Sequence, residues 1–197
     1  MEKVRKPIDK ELIIETALNL IEVNKGIRNV NFRGIAKEIG CAHTNLYNYF
    51  DSFDQIIWET LGQVILRMFD YVDQHQNQQA QGEEKIISVF SAIIDFSLEH
   101  PGWFELLWLE EIEGEPSDEV KDILYKPAFL LNQLISQERL SGISEEKAGK
   151  IANIIFSYLH GELCKYVKNR NLTINQEQIR AEWLSNIRLL YRLLSNY

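Results

Sequence analysis

Cysteine and proline are scarce in this chain of 197 residues, with two of the first and four of the second. Cys41 and Cys164 lie far apart in sequence and suggest no disulfide framework; they read as small buried hydrophobes. Four prolines and ten glycines are too few for a loop-rich β protein, so helices are the first expectation. No stretch approaches the roughly 18 consecutive apolar residues of a membrane span. The opening MEKVRKPIDKEL is charged and lacks the apolar run of a signal peptide, which predicts a cytoplasmic chain. An excess of positive charge is also missing: the net charge is −8, which argues against a broadly basic nucleic-acid coat.

What is present is the balance of a soluble globular protein, 45% hydrophobic and 25% charged. The length suits one large or two small domains with a sizeable core. The charge is unevenly placed. Residues 1–50 hold eight Lys/Arg against six Asp/Glu, whereas residues 51–197 hold thirteen against twenty-three. A weakly basic head on an acidic body can meet a polyanion at one end only.

Apolar residues recur at helical spacing almost throughout, which predicts an all-α fold of about nine helices with no internal repeat. Asp9 caps a first helix carrying Leu12, Ile13, Ala17, Leu20 and Ile21, ended by Gly26. Asn31 caps a short helix with Phe32, Ile35, Ala36 and Ile39, stopped by Gly40, and a second short helix covers about His43 to Tyr49. SFDQ (52–55) reads as a capping box opening a long helix to about His75. After the polar stretch 74–82, the pattern resumes from Ile86 to Leu98, and Pro101 opens a short aromatic helix. Ser117 caps a helix to about Leu140 that Pro127 should kink; Ser144 and Asn175 open the last two.

Two short helices joined by a three-residue turn starting at Gly40 have the sequence form of a helix-turn-helix. Ala36 suits the close crossing, and Gly40 supplies the left-handed backbone that ends the first helix sharply. Ile35, Ile39 and Leu46 should face inward, leaving His43, Thr44, Asn45 and Asn48 outward as donors and acceptors that a major groove can meet.

The segment FRGIAKEIGCAHTNLYNYFDSFDQII resembles the DNA-binding head of TetR/AcrR-family transcriptional regulators, whose pattern ends L-Y-x-x-F, here Leu46, Tyr47 and Phe50. The resemblance covers about Asp9 to Leu66, and YLHGEL (158–163) is similar to a His-Gly signature in a C-terminal helix of some members. It implies a homodimer on a palindromic operator, with the second short helix in the major groove and a helical body that binds a small-molecule inducer. It also implies Tyr47 on phosphate, Thr44 and Asn45 facing bases, and Asn31 at a phosphate-facing helix start. Two positions depart from the family: Phe53 stands where many members have lysine, and Ala42 where many have a Ser or Thr cap. Phosphate affinity would then rest on Lys3, Arg5 and Lys6 and on Arg33, Lys37 and Tyr49.

The middle of the chain is rich in aromatics. Most read as core, and an apolar ligand pocket would draw on Trp103, Phe104, Trp108, Tyr125, Phe129 and Tyr158. His160 reads first as a satisfied core or interface histidine and second as a polar member of such a pocket. Glu105, Glu110 and Glu111 read as a solvated acidic face. The last two helices, 145–168 and 176–195, are expected to form a four-helix bundle with a second copy through Ile151, Ile155, Tyr158, Tyr166, Ile179, Trp183, Ile187, Leu190 and Tyr191.

An enzyme is poorly supported: there is no Glu-x-x-His, zinc quartet, G-x-S-x-G, P-loop or dinucleotide fingerprint. No metal or cofactor is expected. The sequence therefore points to a helix-turn-helix DNA-binding domain at 1–51 and a ligand-binding and dimerisation domain at 52–197. The function expected is that of a repressor released by an apolar or aromatic molecule. The alternative is a helical ligand-binding or scaffold protein whose helix-turn-helix is only structural.

Overall fold

The computed structural model describes residues 7–138, 143–170 and 175–196. Among the described residues the fold is all-α, with eight α-helices, one 3₁₀ helix and no strand. In chain order these are α1 (Lys10–Asn24), α2 (Phe32–Ile39), the 3₁₀ helix (His43–Asn48), α3 (Phe53–His75) and α4 (Gly82–Glu99). They are followed by α5 (Pro101–Trp108), α6 (Asp118–Gln137), α7 (Glu145–Val167) and α8 (Gln176–Asn196).

The helix starts are set locally. Asp9 Oδ1 accepts from the Leu12 amide at 2.8 Å, and Asn31 Oδ1 from the Gly34 amide at 2.9 Å. Ser52 Oγ accepts from the Gln55 amide at 3.1 Å, while Gln55 Oε1 reaches back to the amide of Asp51 at 2.7 Å, one residue beyond the usual partner. Ser117 and Ser144 cap α6 and α7 through the amides of Val120 and Lys147. Each such bond satisfies an orphan helix-end amide and is worth about 1 kcal/mol. One boundary differs from expectation. Helix α4 begins at Gly82, whose left-handed φ of 58° turns its amide onto Glu138 Oε2 at 2.6 Å. Helix α6 carries Pro127 inside its helical span.

The chain divides into two compact units. The first runs to Leu66 and takes in His100–Leu124; the second comprises Arg67–Glu99 and the chain from Tyr125 onward. The boundary expected at residue 51 thus falls inside the first unit. The reason is apolar cover: the start of α3 buries Ile56, Ile57 and Leu61 in this unit, and α5 packs along α1.

That α1–α5 contact is unusually close. A Cβ at Gly102 would lie 2.6 Å from the Ile21 carbonyl oxygen and 2.7 Å from Glu22 Cα, so only glycine fits. Glu22 Oε2 accepts from the Trp103 amide at 3.2 Å, and the Trp103 indole N–H donates to the Leu18 carbonyl at 3.0 Å. Glu110, following α5, accepts from the Ile27 amide at 3.2 Å. Glu105 is buried and Glu110 half-buried, so two of the three carboxylates expected on a solvated face are drawn into this contact region.

In the second unit α8 packs on α7 and α4. Its buried stripe is Ile179, Trp183, Ile187 and Tyr191, while α7 buries Ile151, Ile155 and Leu159 and α4 buries Phe90 and Ile94. Arg180 bonds both carboxylate oxygens of Asp95 and Ser91 Oγ, and Arg188 and Arg192 close on Glu83, with Glu84 also on Arg188. The Arg192 hydrogen bond holds the Glu83 carboxyl below its usual range, and Arg188 adds to the effect. Near the end of α3, the Tyr71 hydroxyl donates to Glu99 at 2.8 Å; burial first and the carboxylate second push its pKa up to about 12.

Candidate nucleic-acid interface

Helix α2 turns Ile35 and Ala36 into the core and ends at Gly40, whose φ is 80°. The amides of Gly40 and Cys41 both return to the Ala36 carbonyl at 2.9 Å, closing the helix end sharply. The segment that follows is wound as a 3₁₀ helix, tighter than the ordinary helical turn expected. Ala42 offers it no side-chain cap, and Leu46 is its one buried side chain. With three residues per turn, side chains at i and i+3 line up. Thr44 with Tyr47 and Asn45 with Asn48 therefore make two outward ridges, while Leu46 points to the core.

The expected DNA-facing residues fall into three groups. His43, Thr44, Asn45 and Asn48 are exposed, and their side chains make no hydrogen bond among the described residues. Arg33 and Lys37 are exposed and enter no ion pair among the described residues. Tyr47 is 55% exposed and lies flat on Phe32, with ring centroids 4.7 Å apart and planes 15° apart. The second group is already engaged. The Asn31 carboxamide caps α2, so it contributes a helix N-terminus rather than a spare side chain. Tyr49 is half-buried and its hydroxyl donates to the Ile8 carbonyl at 2.7 Å, anchoring the segment that enters α1. The expectation that Tyr49 faces phosphate is corrected by that bond. The third group, Lys3, Arg5 and Lys6, lies outside the described residues.

Phe53 meets Phe32 at 6.4 Å with planes tilted by 53°. Three rings from three elements thus meet in series. Phe32, at the first position of a short helix, reads in sequence only as an apolar residue, and its place under Tyr47 emerges with the fold.

The seven expected pocket residues are divided between the units. Trp103 and Phe104 are buried in the first and Trp103 ties α5 to α1; Trp108 is exposed there. Tyr125 and Phe129 are exposed on α6 in the second. Tyr158 accepts a hydrogen bond from Asn186 at 2.8 Å, and burial raises its pKa. His160 lies 3.6 Å from Cys164 Sγ, and burial lowers its pKa. An open groove of about 1020 Å³ in the first unit, between α1 and the turn, is lined by none of these seven; Leu12, Leu20, Val23, Ile39, Cys41 and Asn45 are among its walls.

Of the expected dimer residues, Ile151, Ile155, Ile179, Trp183, Ile187 and Tyr191 are buried within one chain. The α8 stripe that looked unpartnered in sequence is covered by α4 and α7, so these six are core and not seam. Tyr158, Tyr166 and Leu190 are half-buried. The apolar surface left over lies elsewhere on the same helices: Ile154 (45% exposed), Leu189 (54%) and Leu193 (59%).

A short helix closed by a left-handed glycine, followed by a second short helix with an unengaged polar face, is a helix-turn-helix. No protein-family model matches the chain. The uncharacterised HTH-type transcriptional regulator YobS of Bacillus subtilis (strain 168) is 21% identical over 154 residues, 78% of this chain and 76% of its own length. Among solved structures, a protein of unknown function from Rhodococcus sp. RHA1 aligns over 99% of this chain and 100% of its own, with a TM-score of 0.79 at 13% identity. A TetR-family transcriptional regulator from Streptomyces coelicolor aligns over 95% of this chain and 82% of its own, with a TM-score of 0.73 at 16% identity. The fold is that of the TetR-family transcription regulators.

Proposed function

We propose that this chain is a sequence-specific DNA-binding transcriptional regulator, a repressor that leaves its operator when a small apolar or aromatic molecule binds its body. The observation that carries the DNA-binding part is the contrast in side-chain engagement. In the second unit Arg180, Arg188 and Arg192 are tied to carboxylates. In the head, Arg33, Lys37 and four polar side chains of the 3₁₀ helix are exposed and unengaged among the described residues. Unpaired cations and free donors and acceptors on one surface suit phosphates and base edges respectively. The helix-turn-helix relative supports the same reading by its name. A purely structural helix-turn-helix would leave that polar face without a use.

In this reading residues 1–51 read DNA and residues 52–197 bind the ligand and a second copy, in the cytoplasm. The N-terminus of α2, with its orphan amides, favours an anion beside Tyr47. Two heads of a two-fold dimer would enter successive major grooves about 34 Å apart on a palindrome. The ligand acts by its differential affinity for the DNA-competent and incompetent states.

In this reading the second copy docks on the exposed Ile154, Leu189 and Leu193 of α7 and α8. Gly161 supports that choice. It sits exposed in the middle of α7 with nothing within 4 Å of the position a Cβ would take. A mid-helix glycine costs about 0.5–1 kcal/mol relative to alanine, and a close helix crossing by another chain gives that cost a purpose.

Selection of bound duplexes from a random pool tests the class. A palindrome is expected; a pool that stays random after repeated rounds removes the reading. On the selected site, Tyr47→Phe should weaken binding to all sequences, whereas Asn45→Ala should relax preference at one base pair.

A further inference from the structure

Phe32 opens α2 and Phe53 opens α3, so both rings stand at capped helix starts, one fixed by Asn31 and the other by Ser52. The 3₁₀ helix between them has no such fixture. It is six residues long, Ala42 provides no cap bond, and Leu46 is the single side chain it buries. Something else must hold its outward side chains in one arrangement. The contact present is the stack of Phe32 on Tyr47, at 4.7 Å and 15°. Phe53 leans on Phe32 in turn, at 6.4 Å and 53°. An aromatic pair in that geometry favours one ring pose over its alternatives by roughly two- to twelvefold.

Tyr47 has two faces and one polar tip. One face is covered by Phe32; the ring is otherwise 55% exposed, and its hydroxyl has no hydrogen-bond partner among the described residues. A tyrosine whose only need was burial would turn its ring inward as Phe50 does, at 1% exposure. Here the ring is held flat against Phe32 while more than half of the residue stays exposed.

We propose that Phe32 is a positioning residue for DNA contact: its ring, backed by Phe53, holds the Tyr47 hydroxyl in the pose that donates to a backbone phosphate. The proposal rests on the DNA-binding reading above and adds to it a residue that touches no nucleic acid. Phe53 backs the Phe32 ring and so braces a neutral donor. A pre-set donor loses less freedom on binding than a mobile one, which is how a half-buried ring at second hand raises affinity.

The test is a double-mutant cycle on the full chain, using the palindromic duplex that the wild-type protein enriches from a random pool, with binding read by fluorescence anisotropy. Phe32→Leu keeps an apolar side chain but removes the stack, and is expected to weaken binding about tenfold. Phe32→Tyr keeps the stack and should bind within about twofold of wild type. Tyr47→Phe should bind about tenfold more weakly. In the Tyr47→Phe background, Phe32→Leu should cost nothing further, because the hydroxyl it positions is gone. An equal loss in both backgrounds overturns the proposal and makes Phe32 a packing residue. No loss from Phe32→Leu in the wild-type background overturns it as well. If Tyr47→Phe binds like wild type, the phosphate contact and this proposal fall together while the DNA-binding class stands. If the wild-type chain enriches no duplex, the function itself is wrong.

Discussion

Gly102→Ala puts two opposed effects on one residue, and their magnitudes decide the sign. Alanine is the better helix former by up to about 1 kcal/mol in a helix interior, so propensity alone makes the variant more stable. The geometry says otherwise. The new Cβ would sit 2.6 Å from the Ile21 carbonyl oxygen and 2.7 Å from Glu22 Cα, and neither backbone atom can swing aside. Overpacking of that kind costs about 1–3 kcal/mol. Moving α5 off α1 also lengthens the Trp103 bonds to Glu22 and Leu18, now at 3.2 and 3.0 Å, at about 0.5–1.5 kcal/mol each. The net expectation is a loss of about 1–5 kcal/mol, or a fall in Tm of roughly 2–20 °C for a chain of this size. Gly62→Ala is the control: its Cβ would meet Val120 and Ile123 at 3.6 Å or more, an ordinary contact, so that variant should melt at or above wild type. Thermal and urea unfolding followed by circular dichroism read both. A Gly102→Ala protein that melts with or above the Gly62→Ala protein refutes the close docking of α5 on α1.

Leu193→Glu and Ile154→Glu should each give a folded monomer in sedimentation; an unchanged dimer moves the seam elsewhere. Trp183→Glu puts a charge into the core and should lower stability by about 3 kcal/mol or more, so loss of helical signal, and not clean dissociation, is the expected result. Glu83 has a depressed pKa through Arg192 and Arg188, so its contribution is full above the unfolded value of 4.5 and fades as pH falls below it. Stability of Glu83→Gln measured against pH should therefore fall less steeply than wild type in that acid range, and parallel curves would show the ion pairs to be idle.

Local features were legible in the sequence because their causes are local. Asp9, Asn31, Ser52, Ser117 and Ser144 each cap the helix that the residue pattern assigns to them, and Gly40 closes α2 by its left-handed backbone. What depends on partners distant in sequence was not legible. The broad stripe of α8 looked like a seam because α4, some ninety residues earlier, gives no sign in sequence that it lies against it. Trp103 read as a pocket residue, yet its indole is held by Leu18, 85 residues away. Tyr49 offered the same hydroxyl as Tyr47, and only the fold shows that one is bonded to Ile8 while the other is presented. Glu105 and Glu110 read as solvated because nothing near them in sequence would bury a carboxylate.

The two ridges of the 3₁₀ helix have a consequence for descent and for engineering. Thr44, Asn45 and Asn48 on those ridges, and the exposed His43 that precedes them, make no side-chain hydrogen bond among the described residues, so the fold places no demand on their chemistry. Substitutions there should alter stability by no more than about 0.5 kcal/mol, while changing which base edges can be met. On the proposed DNA-binding function, preference for one operator would then drift to another by single replacements, each intermediate remaining folded. Leu46 and Gly40, between and before those positions, are the fixed points around which such retuning turns.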